Sequence, residues 1–140
     1  MIVLDTNVIS EPMRSNSDPA VMAWLDRQIA DTLYLTTISL AKLLVGIENL
    51  PDGKRKDGLG AALANFISRQ FESRILPFDQ AAAIAYAPMI AKAKAPGHAI
   101  GVADGQITAI AADRGFVVAT RDTAPFIAAG VPVINPWREE

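Results

Sequence analysis

A chain of 140 residues, 51% of them apolar, is long enough for one ordinary hydrophobic core and too short for a second large one, so a single domain over residues 1–140 is expected. Thirteen basic against 15 acidic residues leave a net charge of −2, which excludes capture of nucleic acid by the surface as a whole and allows only a local basic patch. With no cysteine present, a disulfide framework, a thiolate zinc site and a cysteine nucleophile are excluded.

The opening apolar run, Ile2-Val3-Leu4, is continuous rather than alternating, which suits a strand covered on both faces, and Asp5 falls just past its carboxyl end. No basic leader precedes Asp5 and no run is apolar enough to span a bilayer, so the expectation is a cytoplasmic protein that does not engage membranes. Asp18-Pro19 supplies a helix cap with proline at the first helical position, and Met22, Leu25 and Ile29 fall on one face of the helix it opens. Leu33 to Ile38, rich in β-branched and aromatic residues, reads as a second strand. Ser39 is expected to cap the next helix, whose Leu40, Leu43, Leu44 and Ile47 form an apolar stripe with Lys42 off its centre, and Pro51-Asp52-Gly53 stops it.

Asp52 to Asp57, carrying Lys54-Arg55-Lys56, reads as a solvated loop before a helix bearing Leu59, Leu63, Phe66, Ile67 and Phe71. Ile75-Leu76 is a short strand, and Asp79 caps an alanine-rich helix through Ile84 and Ile90 that Pro88 should kink or split. Beyond the Pro96-Gly97-His98 loop, a helix starts close to Asp104, passes Ile107 and Ile110, and ends at Arg114 with Gly115 as its cap. Phe116 to Ala119 is a strand leading into Thr120-Arg121-Asp122, and Val131 to Ile134 is the last strand. Such alternation implies an α/β fold with a parallel sheet, helices on both faces, and ligands bound beyond the carboxyl ends of the strands.

Asp5 and Asp122 fall on that edge, and Asp104 opens the helix feeding the strand before Asp122. Each has a plain structural reading: Asp5-Thr6-Asn7 as a strand-to-helix turn, Asp104 as a complement to the positive end of its helix, Asp122-Thr123 as another cap. Gathered on one edge, however, three like charges repel unless a cation sits among them. Magnesium is held by two or three aspartates beside a phosphate and keeps several waters, and such an ion activates water and offsets charge in phosphodiester hydrolysis. Asp5 and Asp104 are the expected direct ligands and Asp122 a direct or water-mediated one, with Thr6, Asn7, Ser39 and Thr120 orienting waters or ligands around them. His98 lacks the orienting partner of a catalytic base, and Trp24 and Trp137 read as core or interface residues. No phosphate-binding glycine loop or nucleophile elbow is present, which removes nucleotide triphosphatase and serine hydrolase chemistry.

The segments Ile2-Val3-Leu4-Asp5-Thr6-Asn7-Val8-Ile9-Ser10, Ala103-Asp104-Gly105-Gln106-Ile107, Ala119-Thr120-Arg121-Asp122-Thr123 and Asn135-Pro136-Trp137 together resemble the PIN-domain family, and within it the VapC- and FitB-type toxins of bacterial type II toxin–antitoxin pairs. The resemblance covers essentially the whole chain in order. It implies a three-layer α/β/α sandwich with a mainly parallel central sheet, assembled as a homodimer. It also implies a magnesium- or manganese-dependent endoribonuclease that cleaves RNA, with a cognate antitoxin that silences it and through which alone DNA is engaged. The family's acidic quartet maps onto Asp5, position 42, Asp104 and Asp122, and where the family carries glutamate this chain has Lys42. That ammonium should weaken metal binding and could take the cation's place by pairing with Asp5 or Asp104, so an impaired nuclease is expected. Two other readings stand beside it: a degenerate PIN-like module that binds antitoxin or RNA without cutting, and a receiver-like phosphoacceptor. The second fits less well, since Lys42 lies on an early helix and the three aspartates are not clustered as that chemistry needs.

Overall fold

Successive residues of a strand face opposite sides of a sheet, and in this computed structural model, which describes residues 1–94, 97 and 100–138, both sides of the central strands are covered. In β1 (Ile2–Leu4), Val3 enters one core and Leu4 the other, which is why the run is apolar without alternation. The same division holds in β2 (Leu33–Thr36), where Leu33 and Leu35 oppose Tyr34, and in β4 (Val117–Ala119), where Val118 opposes Ala119. With β3 (Ile75–Leu76) and β5 (Val133–Ile134), the described residues form a parallel sheet of order β3-β2-β1-β4-β5.

On one face lie α1 (Thr6–Ser10), α2 (Pro19–Arg27), α3 (Thr37–Glu48) and α4 (Lys54–Gln70), which contribute Val8, Ile9, Trp24, Leu43 and Leu63 to the first core. On the other lie α5 (Gln80–Lys94), α6 (Val102–Arg114) and α7 (Thr123–Ala128), which contribute Ala82, Ile107, Ile110, Ala111 and Phe126 to the second. The result is a three-layer α/β/α sandwich. From β1 the chain builds outward through β2 and β3, then returns to the other side of β1 with β4 and β5. The crevice beyond the carboxyl ends of β1 and β4 is therefore the topological switch point, where open α/β sheets bind ligands.

Several expectations need correction. The second strand stops at Thr36, not Ile38, because the Thr36 hydroxyl accepts the Ser39 backbone N–H at 3.0 Å and starts α3 three residues early; Ser39 is thus a buried helical residue and not the cap. The Lys54-Arg55-Lys56 stretch is the solvated first turn of α4 rather than a loop, entered through Gly53 at φ 148°. Pro88 neither ends nor splits α5. On α2 it is Val21 and Trp24 that are buried, while Ile29 lies beyond the helix and is 71% exposed, since the Gln28 N–H closes onto Leu25 and turns the chain away. β4 and β5 are shorter than expected, omitting Phe116, Val131 and Pro132. Asp18 and Asp79 do cap their helices, accepting the Ala20 and Ala82 N–H groups at 2.8 and 2.9 Å, and Gly115 ends α6 at φ 70°. Pro96 and His98 lie outside the described residues. Among those described, no helix is long and apolar enough to cross a membrane.

Gly105 lets α6 approach α5: a Cβ there would stand 2.9 Å from both Ile90 Cδ1 and Tyr86 Cε1. Overpacking of this kind costs roughly 1–3 kcal/mol and alanine's helix propensity returns up to about 1. Gly105→Ala should therefore lower the urea-unfolding free energy by about 1 kcal/mol; a more stable variant would show that the Tyr86 ring yields freely.

Candidate functional site

The carboxyl ends of β1 and β4 are adjacent, and the residues just beyond each strand are laced together. Asp5 is buried at the start of α1, its Oδ1 accepting the Thr6 N–H at 2.7 Å and its Oδ2 the Thr120 hydroxyl at 2.8 Å. Thr120, fully buried, also accepts the Asp122 N–H on the same Oγ1 at 3.0 Å. One hydroxyl thus ties the first and third acidic positions, which are 117 residues apart in sequence (122 minus 5), into one rigid edge. Asn7 adds a second tie, its Oδ1 accepting the Arg121 N–H at 3.4 Å. Asp122 itself is exposed and its side chain caps nothing, so its carboxylate is not consumed by α7.

Asp104 arrives from the other face, in the first turn of α6 and half-buried. Its pKa is raised above the ordinary 3.8, chiefly by burial, then by Asp5 and, more weakly, by Asp122; Lys42 acts in the opposite direction between those two. All four positions read from the sequence therefore share one electrostatic neighbourhood centred on Asp104. Among the described residues, no three His, Cys, Asp or Glu side chains are grouped so that they could hold a metal ion, so Asp5, Asp104 and Asp122 do not form a ready-made cage.

Lys42 does not take a cation's place. It is exposed, and among the described residues it forms no ion pair with Asp5, Asp104 or any other acid. The expected pairing is corrected because the long stem lets the ammonium sit in solvent and act at longer range. Lys42 borders a groove of about 660 Å³ together with Thr6, Ser10, Arg14, Leu43 and Arg55, while Asp104 borders another of about 640 Å³ with Gly101, Thr123 and Ile127.

Two hydroxyls in this region are buried without a hydrogen-bond partner, Thr6 Oγ1 and Ser39 Oγ. Such orphans normally cost stability and call for a ligand or water. Sequence reasoning missed Glu11, which is 2% exposed and accepts Arg14 at 3.1 Å and the Asp18 N–H at 3.1 Å. It also missed Arg121, whose guanidinium lies 5.2 Å from the Trp137 ring centroid. Neither had a readable signal, since Glu11 opens a short polar turn and Trp137 is 16 residues from Arg121 (137 minus 121).

Residues 2–131 match the family model described as the PIN domain. The chain is similar to a protein named VapC ribonuclease Y4jK of Sinorhizobium fredii, 50% identical over 137 residues that cover 98% of each chain. It is also similar to toxin FitB of Neisseria gonorrhoeae, 47% identical over 139 residues, covering 99% of this chain and all of that one. Among solved structures, FitAB bound to the IR36 DNA fragment matches with a TM-score of 0.96 at 46% identity, over 100% of this chain and 98% of the other.

Proposed function

The chain belongs to the PIN-domain family, and on that premise we propose that it is the toxin of a toxin–antitoxin pair of the VapBC/FitAB kind, a metal-dependent endoribonuclease restrained by Lys42. What supports this reading is the tie of Asp5 to the Asp122 backbone through Thr120 at the switch point of the sheet, together with an Asp104 whose pKa is raised by burial first and then by Asp5 and Asp122. Carboxylates that act on one another electrostatically, with the unpartnered Thr6 hydroxyl on the residue next to Asp5, suit a hard oxygen-seeking cation that keeps part of its water. Asp5 and Asp104 would hold magnesium or manganese directly, and Asp122 directly or through water. When bound, the ion supplies a lowered water pKa and an offset for charge on the phosphate.

The rest is done by the chain's own side chains. Thr120 fixes the Asp5 carboxylate by donating to Oδ2, and the Thr6 N–H fixes Oδ1, so the acid keeps one orientation without reorganising. Asn7 and Thr120 hold the segment before Asp122 to the end of β1. The Ser39 and Thr6 hydroxyls have unused hydrogen-bonding capacity for ordered water. A homodimer in the cytoplasm, silenced by a cognate antitoxin and reaching DNA only through it, completes the reading. Lys42, and the lack among the described residues of three acids grouped to hold a metal ion, favour a second one, a degenerate PIN-like module that binds antitoxin or RNA without cutting.

Incubated with RNA and manganese, the purified chain should cut weakly, EDTA should stop it, and Asp5→Asn should cut nothing. Cleavage that persists in EDTA refutes a metal enzyme. Absence of cleavage by both the native chain and Lys42→Glu, with antitoxin still bound, replaces the nuclease with the binding module.

A further inference from the structure

Beside the acidic edge lies a polar cavity of about 300 Å³ bordered by Glu11, Arg14, Ser17, Arg121, Trp137 and Asp18, whose carboxylate is engaged in capping α2. Its two cations differ. Arg14 is neutralised by Glu11 at 3.1 Å, whereas Arg121 has no acidic partner among the described residues. Arg121 is instead set from below, its guanidinium over the Trp137 ring at 5.2 Å and its backbone N–H on Asn7 at 3.4 Å. Trp137 is itself held, its backbone N–H donating to Asn135 Oδ1 at 3.0 Å and its side chain packing against the first core. An aromatic face restrains a guanidinium while leaving its in-plane donors free, which is the arrangement that suits bidentate recognition of phosphate.

The acidic edge needs such a group. Asp5, Asp104 and Asp122 against Lys42 leave a formal charge of −2 there (three negative, one positive), so phosphates flanking the one a cation neutralises are repelled. Arg121 immediately precedes Asp122, which puts its charge at the border of that edge. Resting on the nuclease reading, we infer that Arg121, held on Trp137, grips a backbone phosphate of single-stranded RNA next to the one being cut. It is a substrate-positioning residue and takes no part in proton or metal chemistry.

The test is fluorescence anisotropy of a short labelled single-stranded RNA across a salt series in EDTA, where hydrolysis is stopped, beside cleavage kinetics in manganese. Arg121→Gln should weaken binding about tenfold and make the slope of log K against log salt shallower by about 0.7, as expected for one lost phosphate contact on a single strand. In cleavage it should raise KM with kcat within about twofold. Arg121→Lys should keep the salt slope yet bind several-fold more weakly, because an ammonium neither stacks nor forks. Unchanged affinity and slope in Arg121→Gln, a fall in kcat at constant KM, or a loss of antitoxin binding alone would each overturn the inference. RNA bound with the expected slopes but cut by no form, Lys42→Glu included, sinks the nuclease reading and leaves the phosphate grip standing; cleavage with unaltered slopes does the reverse. Failure of the native chain to bind RNA at all ends both.

Discussion

Lys42→Glu should raise metal-dependent RNA cleavage about a hundredfold at magnesium concentrations below saturation, and tighten metal binding by a similar factor. The substitution changes local charge by two units. A single positive charge about 4 Å from a divalent ion, at an effective dielectric near 20, would repel it by roughly 8 kcal/mol. That is a ceiling, because Lys42 is exposed, makes no ion pair among the described residues and can turn its ammonium to solvent. Two powers of ten correspond to about 2.7 kcal/mol, a third of the figure for that single charge and about a sixth of what a two-unit change would give unscreened. The same change has a cost: it removes the influence that lowers the Asp104 pKa and adds a like charge, so the metal-free fold should become less stable. An antitoxin that offers a basic side chain to the acidic edge should bind the glutamate form more tightly at low salt. Initial rates across a magnesium series decide the matter. Rates unchanged at every concentration, or improved only at saturation, would mean that position 42 does not act through the metal.

What could be read from the sequence tracked the burial of the backbone. Ile2-Val3-Leu4 and Ile75-Leu76 were legible because both faces of those strands are covered, and the caps at Asp18, Asp79 and Gly115 because each meets a local need of its helix end. Thr36-Thr37-Ile38 misled because β-branched residues suit a strand, yet a hydroxyl at Thr36 starts a helix just as well, and tertiary packing decided. Lys54 to Asp57 misled in the opposite direction, since a solvated first turn has the composition of a loop. At the site, the position of Asp5 and Asp122 just past two strands could be read along the chain, but the hydroxyl of Thr120 bridging them depends on β1 and β4 being neighbours, which spacing alone does not specify. Position 42 drew notice only through resemblance, because one lysine on an exposed helix face carries no signal of its own.

Asp104→Asn should reduce cleavage about a thousandfold or more, as expected when a direct metal ligand is lost, and yet make the metal-free protein more stable. Burial first, then Asp5 and Asp122, raise the Asp104 pKa above 3.8, with Lys42 opposing. The net direction is upward even though a carboxylate in the first turn of α6 gains about 0.5 kcal/mol from the helix dipole, so the unfavourable contributions exceed that gain. Between the unfolded and folded pKa values the native state therefore holds a proton that the unfolded chain has released. Stability falls as pH rises through that interval, which begins near 3.8, and stays lower above it. Asparagine keeps the shape without the charge, so in EDTA the variant should lack this fall and melt at a higher temperature than the native chain near neutral pH. Manganese should then raise the melting temperature of the native chain and leave that of the variant almost unchanged, because a cation that binds only the folded state stabilises it and the substitution removes a carboxylate that would hold that cation. A variant that melts lower in EDTA, or that keeps the native pH slope, would show that Asp104 stabilises the fold as an ordinary helix-end acid and that the edge is not short of positive charge.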